Sequence, residues 1–343
     1  MTTLVKLHRG KVVVFIVALF SALLVLTAVR AQTQAQAQAQ VSPGAKIYVT
    51  ESNSNTLSAI NPNNDTITST LRVRSSPNAV VLHPIGNLLY VATIRGVQIV
   101  NTTNNTVTGF IPADLSVGQP ANMAINSNGT RLYAVGNVNA AAGVIVINPI
   151  SQNIVANVNI QAQWVVLHPD SSRYYISSTA VNGITVVDIN TNNPITTIPT
   201  NSGTFGMAIK PDGSRLYVAE ANNIFIIDAT NDTIVGTPIP ISPDTPVLVT
   251  YNPVLSRLYV ASSTRGDDRI FVFDATNPNT LTLIGQPIPV GGAPIALALN
   301  PAGTRLYVAN KDSNNISVID TTNNTEINTI PVGFAPAGLV FRP

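Results

Sequence analysis

The sequence predicts an all-β protein, a seven-bladed β-propeller in which sheets of four antiparallel strands form a closed ring. Three observations predict it. A tyrosine recurs seven times at nearly constant spacing, an Asn or Asp follows each tyrosine at an odd distance, and the chain ends in a strand without a partner of its own. The composition agrees, because Val, Ile and Thr suit strands while Asn, Gly and Pro suit turns.

The repeat centres on a tyrosine in short apolar runs such as LYVA. Its copies lie 42, 43, 42, 42, 42 and 48 residues apart, at Tyr48, Tyr90, Tyr133, Tyr175, Tyr217, Tyr259 and Tyr307. A period of about 40 to 45 residues corresponds to one four-stranded propeller blade. Residues 205–240 show the division within a unit, since FGMAIKP, RLYVAE, NIFIIDA and DTIVGTPIP are β-type runs separated by turn residues.

An Asn or Asp opens the predicted turn between the third and fourth strands of every unit. These residues are Asn61, Asn101, Asn148, Asp188, Asp228, Asp274 and Asp320. Such side chains bond their own backbone two residues on and tolerate the left-handed region, so they favour hairpins. Their distances from the tyrosine are 13, 11, 15, 13, 11, 15 and 13, which differ only by even numbers. Because side chains alternate between faces, paired insertions lengthen the loop between the second and third strands without turning the buried face outward.

The two ends of the repeat region predict how the ring closes. The first unit begins at its second strand, residues 45–50, and the final segment AGLVFRP has the pattern of a first strand. Joining this C-terminal strand to the first blade completes seven four-stranded sheets and leaves only short, protected edges. An open stack of units or two separate domains would leave that strand unpaired. We therefore predict one propeller over residues 45–343.

Residues 1–31 predict export. A basic start is followed by eighteen apolar or small residues, from Val12 to Val29. Signal peptides have apolar regions of about 7 to 15 residues and spanning helices need about 17 to 25, so a signal peptide cleaved after Ala31 and an uncleaved anchor both fit. Residues 32–44 predict a flexible Gln/Ala-rich linker. We expect a secreted, periplasmic or cell-surface protein whose membrane contact, if retained, is residues 12–29.

The charge distribution excludes several classes of partner and cofactor. Of 18 Lys and Arg residues, four precede residue 32 without any acid, so the remainder carries 14 against 16 Asp and Glu, a net charge of −2. A mildly acidic body without a basic cluster predicts no nucleic-acid partner. The absence of cysteine excludes disulfides, thiolate metal sites and covalent haem attachment. The sequence therefore identifies no cofactor.

The repeat resembles that of the YVTN-family β-propellers, found in archaeal surface-layer proteins and in many exported bacterial proteins. The seventh unit carries the resemblance most fully, with the sequence PAGTRLYVANKDSNNISVIDTTNNTEINTIPVG, and the resemblance extends over residues 45–343. The first four units depart from the pattern at the Asx-Thr turn or the Tyr-Val pair, as in NPNN and YYIS. The resemblance implies a seven-bladed propeller at the cell surface or outside the membrane, usually without an assigned reaction.

Charged residues in the predicted loops between second and third strands form a candidate binding face. They come from blades one, five, six and seven, and are Glu51, Glu220, Arg265, Asp267, Asp268, Arg269, Lys311 and Asp312. Such a rim suits a polar partner. Asp267 and Asp268 also suit a divalent cation, because hard cations favour grouped carboxylates. The alternative interpretation is a set of solvated loops whose charges balance one another.

Residues repeated at one position predict structural roles. Arginines precede the tyrosine by two residues in five units and are expected to cap contacts between blades, at Arg131, Arg173, Arg215, Arg257 and Arg305. The tyrosines are expected to pack between blades. His83 and His168 share one repeat position and do not form a ligand set. Trp164, Phe205 and Phe334 are expected in the core or as channel plugs.

Two functions remain open from the sequence. The first hypothesis is a non-catalytic scaffold that binds or displays a protein, a glycan or an envelope component through the charged loops, because no reactive set is recognisable. The alternative is a lactonase- or hydrolase-like enzyme with a metal or small-molecule site at the mouth of the central channel. Related propellers include lactonases and haem-containing nitrite reductases, but no residue matches their catalytic motifs. The sequence therefore assigns no catalytic residue and favours the non-enzymatic hypothesis.

Overall fold

The structure, a computed structural model, describes residues 44–116, 122–241, 243–264 and 266–343. The predicted signal or anchor segment, residues 32–43 of the linker and Arg265 lie outside these ranges. Within them, no helix is both long and apolar enough to cross a membrane. One compact unit runs from Ala45 to Pro343.

The described ranges contain seven antiparallel sheets, which we number as blades one to seven in chain order. The innermost strands of the seven blades are β29 (Pro336–Arg342), β4 (Ala79–Leu82), β8 (Met123–Ile125), β12 (Trp164–Leu167), β16 (Thr204–Ile209), β20 (Pro246–Asn252) and β25 (Pro294–Leu299). The second strands are β1 (Lys46–Glu51), β5 (Leu88–Thr93), β9 (Leu132–Val138), β13 (Arg173–Ser177), β17 (Arg215–Glu220), β21 (Arg257–Ser262) and β26 (Arg305–Asn310).

The two outer positions of each blade complete the sheets. The third strands are β2 (Thr56–Asn61), β6 (Gly96–Asn101), β10 (Ala141–Asn148), β14 (Gly183–Asp188), β18 (Asn223–Asp228), β22 (Arg269–Asp274) and β27 (Asn315–Asp320). The outermost strands are β3 (Thr66–Arg72), β7 (Thr106–Pro112), β11 (Asn153–Val158), β15 (Pro194–Pro199), β19 (Thr233–Pro240), the pair β23 (Thr282–Leu283) and β24 (Ile288–Pro289), and β28 (Thr325–Pro331). In blade six, β23 and β24 both pair with β22.

The C-terminal strand closes the ring. β29 pairs antiparallel with β1, placing Val340 opposite Tyr48, and the backbone N–H of Gly338 donates to Thr50 Oγ1 at 2.7 Å. The innermost strands contact one another in cyclic order, with β29 between β25 and β4. The seven-bladed propeller and its closure through the first blade are therefore confirmed.

The predicted hairpin turns are also confirmed. In each blade the Asx side chain accepts a hydrogen bond from the N–H two residues on. Four residues after the Asx, six blades place a non-glycine residue at a φ of 53 to 59°, which we call the left-handed turn residue: Asp65, Asn105, Gln152, Asn192, Asp232 and Asn324. Asn and Asp tolerate this region better than most residues.

The core is divided among the boundaries between blades. Seven apolar clusters occur in the described ranges, one at each boundary, and the buried members of each come from two neighbouring blades. All seven repeat tyrosines are fully buried in these clusters. Each blade is thus stabilised mainly by its two neighbours, as in other repeat proteins.

The repeat arginines reach the next blade in four cases, which confirms the expected capping role. Arg173 pairs with Asp232 at 3.4 Å, and Arg215 Nε donates to Pro278 O at 2.8 Å. The other two guanidinium groups also donate to the following blade: Arg257 to Asn324 Oδ1 at 3.3 Å and Arg305 to Pro62 O at 2.9 Å. Arg131 differs, because its guanidinium donates to Thr130 O of its own blade at 2.9 Å.

Candidate functional site

The central channel contains a cavity of about 210 Å³ near the end at which the innermost strands begin. This end also carries the loops between second and third strands, because each second strand runs antiparallel to the innermost strand and therefore ends where the innermost strand begins. Strands β4, β8, β12, β20, β25 and β29 or their flanking residues line the cavity, and its polar side chains include Asn78, Asn122 and Thr250. Within the described ranges, the lining includes no carboxylate, imidazole or amine.

Asn78 is the most unusual residue of the cavity wall. Its side chain is 1% exposed, and neither Oδ1 nor Nδ2 has a hydrogen-bond partner in the described structure. The backbone N–H of Asn78 donates to Ala92 O at 3.0 Å, which fixes the residue just before β4. A buried polar group left unpaired costs about 1 to 3 kcal/mol. A ligand that both donates to and accepts from this carboxamide would recover that cost.

Asn122 and Trp164 complete the polar side of the channel wall. Asn122 Oδ1 accepts the backbone N–H of Val165 at 2.9 Å, which ties blade three to blade four. This bond uses the oxygen and leaves Nδ2 as the donor of the side chain. Trp164 packs against the cluster between blades four and five and against the cluster between blades six and seven. The indole therefore crosses the channel, as predicted for a plug.

The two phenylalanines differ in position. Phe205 packs against the cluster between blades five and six, as expected. The prediction for Phe334 is wrong, because its side chain is 67% exposed. The connection that carries Phe334 is fixed by its backbone instead, since the Phe334 N–H donates to Ser54 Oγ at 2.7 Å.

Glu51 and Glu220, two predicted rim residues, are anchors inside the protein. Both are 1% exposed. Glu51 Oε1 accepts the N–H of Gly333 at 3.0 Å, and Glu220 Oε1 accepts the N–H of Ser202 at 2.7 Å. Each carboxylate thereby holds the connection that enters its own blade. The second oxygen of Glu220, Oε2, is buried without a hydrogen-bond partner in the described ranges.

The loop of blade six brings several charges together. Asp268 fastens this loop, since Oδ1 accepts the Thr264 N–H and Oδ2 accepts the Ala293 N–H, each at 3.0 Å. Arg269 forms an ion pair with Asp267 and lies 3.9 Å from Asp244 Oδ1. Asp244 was not predicted as a rim residue, because it lies in the connection from blade five and not in a loop between second and third strands.

The loop of blade seven lies beside that of blade six. Asp312 is exposed and Lys311 is half-buried. A Cβ placed on Gly292 would lie 3.5 Å from Asp312 Cβ and 3.9 Å from Asp268 Oδ2, so the two loops flank this glycine. In the described part of the chain, no group of three or more His, Asp or Glu side chains could hold a metal ion. A divalent cation at Asp267 and Asp268 stays a prediction.

The histidines pack between blades at the other end of the propeller. His168 Nε2 lies 3.1 Å from Gly213 O, which belongs to the turn between the first and second strands of blade five. His83 lies against Gly129, the corresponding glycine of blade three, where an added Cβ would collide with the imidazole ring. Neither histidine lines the channel cavity. His83 and His168 therefore have the same role, which is to pack against a turn glycine of the next blade.

Comparisons with known proteins agree with this fold. A family described as "Lactonase, 7-bladed beta-propeller" matches residues 255–328, which is 74 of 343 residues and lies in blades six and seven. No curated protein matches the chain.

Many solved structures are similar to the propeller, and three of them illustrate the likeness. A protein from Lactobacillus plantarum is 15% identical with a TM-score of 0.73, covering 87% of this chain and 99% of that one. A candidate 6-phosphogluconolactonase from Bacteroides uniformis is 15% identical with a TM-score of 0.71 and the same coverage. Hydrazine synthase from Kuenenia stuttgartiensis is 16% identical with a TM-score of 0.68, covering 77% and 89%. At these identities the likeness concerns the fold alone.

Proposed function

We propose that this protein binds a small cyclic ester in its central channel and hydrolyses it, as a lactonase-type enzyme. The observation that carries the proposal is Asn78, a residue of the cavity lining whose buried carboxamide has no hydrogen-bond partner in the described structure. The lactonase-family match over residues 255–328 supports the class of reaction. This alternative ranks above the display scaffold. Glu51, Glu220 and Asp268 belong to the predicted binding face, but their carboxylates hold backbone connections in place.

The size and polarity of the cavity suit such a substrate. A volume of about 210 Å³ equals that of roughly seven liquid waters at about 30 Å³ each, which is enough for a monocyclic lactone. The ligand is uncharged, and the described lining is uncharged as well. Trp164 and Met123 provide apolar surface for the ring carbons, while the polar atoms of the ester face Asn78 and Asn122.

The asparagines act on the charge that develops during hydrolysis. When water attacks the carbonyl carbon, the carbonyl oxygen becomes negative, and N–H donors held in place stabilise that charge. Asn78 Nδ2 and Asn122 Nδ2 are those donors. The ring C–O bond then breaks, the leaving oxygen takes up a proton, and the product is a hydroxy acid. Because no titratable side chain lines the described cavity, the attacking water loses its proton to solvent.

A lactone panel tests the proposal. We would measure acid release by pH-stat from γ-butyrolactone, δ-valerolactone and glucono-δ-lactone, with and without Ca²⁺, Mg²⁺, Mn²⁺ or Zn²⁺. Asn78→Ala should lower kcat/KM by about 10²-fold, the size seen when one oxyanion donor is removed. The control is Asn63→Ala, since Asn63 is exposed in a turn of blade one. The rate should rise from pH 6 to pH 9 without a plateau.

The outcomes separate catalysis from binding. Turnover that Asn78→Ala leaves unchanged would contradict the role of the channel. A lactone that binds wild type, binds Asn78→Ala more weakly and is not hydrolysed would establish a binding protein instead. If no lactone binds or reacts, the proposal is wrong.

The display scaffold is the second candidate, and the exposed Phe334 together with the exposed Asp267 and Asp312 favours it. These side chains lie at the same end of the propeller and would contact a protein, glycan or envelope component. We further propose that either function is carried out outside the cytoplasm, which the basic and apolar segment within residues 1–31 supports. Capture of an envelope component that survives Asp267→Asn with Asp312→Asn would exclude this surface.

A further inference from the structure

A second cavity of about 430 Å³ lies between blades three and four, at the end opposite the loops between second and third strands. Its wall combines the turn between the first and second strands of blade three with the turn between the third and fourth strands of blade four. The side chains that matter here are Asn126, Asn128, Arg131, Tyr133, Asn190 and Asn192. Among the described residues, the lining contains one cation and no carboxylate.

This boundary differs from the two at which a repeat arginine faces an acid of the next blade. Arg173 pairs with Asp232 at 3.4 Å and Arg305 pairs with Asp65 at 3.6 Å, and in both cases the acid is the left-handed turn residue of the next blade. In blade four that residue is Asn192, which is neutral and whose Oδ1 accepts the Tyr174 hydroxyl at 3.3 Å. Within the described part of the chain, Arg131 therefore pairs with no carboxylate across the boundary.

The position opposite Arg131 within its own blade supplies no charge either. In blade five, Arg215 also pairs with Asp228, the Asx of its own blade, at 3.2 Å. The corresponding residue of blade three is Asn148. The nearby acid of blade four, Asp188, uses Oδ1 to accept the N–H groups of Asn190 and Thr191 at 3.0 and 2.8 Å.

Tyr133 supplies a second donor at the same place. Its side chain is fully buried, lines the cavity and has no hydrogen-bond partner for Oη within the described ranges. In blade four the equivalent hydroxyl bonds across the boundary, since Tyr175 Oη donates to Asp232 Oδ1 at 2.8 Å. The hydroxyls of Tyr217, Tyr259 and Tyr307 also lack a hydrogen-bond partner in the described ranges, so the cavity beside Tyr133 is what distinguishes it. Burial raises the pKa of Tyr133 to about 12, so the hydroxyl keeps its proton at neutral pH.

We propose that the cavity between blades three and four binds a small carboxylate that carries hydroxyl groups. The carboxylate of the ligand takes the place that Asp232 and Asp65 occupy at the equivalent boundaries, and Arg131 and Tyr133 donate to it. A guanidinium matches a carboxylate in two parallel bonds. The amides of Asn128 and Asn190 and the hydroxyl of Ser171 then face the hydroxyl groups of the ligand. The site is separate from the channel and does not depend on the proposed hydrolysis.

The decisive variant is Asn192→Asp, which supplies the missing carboxylate from the protein itself. Aspartate occupies this left-handed position in blades one and five, so the variant is expected to fold. It should pair with Arg131, raise the melting temperature in the absence of ligand and exclude the external carboxylate. The matched control is Asn324→Asp, at the equivalent position, where Arg257 already donates to Thr321 O and Asn324 Oδ1.

The probe is sodium glycerate, compared with glycerol at equal concentration and ionic strength, by isothermal titration calorimetry and thermal shift on the full chain. We expect glycerate, and not glycerol, to bind wild type and Asn324→Asp equally. Asn192→Asp and Arg131→Met should each weaken glycerate binding by about tenfold to hundredfold, the range for a charged hydrogen bond. Failure of glycerate to bind wild type, equal effects of glycerol, or unchanged affinity in Asn192→Asp would each overturn the proposal.

Discussion

Asp232 joins blades four and five, and its removal should be costly. Its Oδ1 accepts the hydroxyl of Tyr175 at 2.8 Å and lies 3.4 Å from Arg173 Nε. Asp232→Ala leaves the buried Tyr175 hydroxyl with only its long contact to Ala229 O at 3.4 Å, and it leaves the half-buried Arg173 guanidinium without its paired carboxylate. Hydrogen bonds to charged groups contribute about 1.5 to 3 kcal/mol. Because Arg173 keeps its bond to Ala229 O, we expect a loss of about 2 to 3 kcal/mol in the free energy of unfolding.

Asp267→Ala provides the matched control, because Asp267 is also paired with an arginine but is 65% exposed. Exposed ion pairs contribute about 0 to 1 kcal/mol, so this variant should stay within that range. Guanidinium chloride titration, followed by far-ultraviolet circular dichroism and by the fluorescence of the single tryptophan, Trp164, gives both values. Equal losses in the two variants would refute the reasoning. So would a double-mutant cycle of Asp232→Ala with Arg173→Met that shows no coupling.

Three further predictions follow from the fold. Removal of residues 333–343 takes away β29 and exposes the edge of β1, so we expect the protein to unfold or to self-associate. Circular dichroism and size-exclusion chromatography would detect these outcomes. A native-like monomer would contradict the closure of the ring by β29. Gly129→Ala should lower the denaturation midpoint, because Gly129 has a φ of +72° and faces the His83 ring. Adding His83→Ala removes the collision with the ring but not the backbone strain, so it should restore only part of the loss. Full restoration would mean that the backbone is unstrained. Hydrogen bonds from Thr230 lower the pKa of Asp228 in the folded state. The folded state therefore binds this proton less tightly than the unfolded chain does. The resulting contribution to the free energy of unfolding is complete above the unfolded pKa and is lost as the pH falls through the folded pKa. Asp228→Asn should flatten the denaturation midpoint against pH below about pH 4, and a curve parallel to wild type would contradict this.

The architecture was predictable because its signals are local and periodic. The spacing of the tyrosines, the Asx residues and the unpaired last strand all depend on short stretches of sequence, and the structure confirms each of them. Trp164 was also placed correctly, since a large aromatic residue at the start of an innermost strand has the channel in front of it.

The candidate sites were less predictable, because they depend on contacts between distant parts of the chain. Glu51 looks like a rim residue until Gly333, 282 positions away, donates to it. Nothing in the sequence around Asn78 shows that its carboxamide lacks a partner, since this depends on the blades beside it. The site between blades three and four left no signal at one position alone. The left-handed turn residue is Asp in blades one and five, Asn in blades two, four and seven and Gln in blade three, so Asn192 is not distinctive without the contacts around Arg131.

The pairing of β29 with β1 has a consequence for the order of folding. Gly338 and Thr50, which bond across this pair, are 288 positions apart. Closing a loop of that length costs about 5 kcal/mol of chain entropy by the logarithmic rule, and such distant contacts slow folding. Blades two to seven are each built from a continuous stretch and can form in order as the chain is made. Blade one contains the earliest strand of the propeller and also its latest. It starts first and is completed last, so the rate at which residues 336–342 find β1 should limit the appearance of the closed ring.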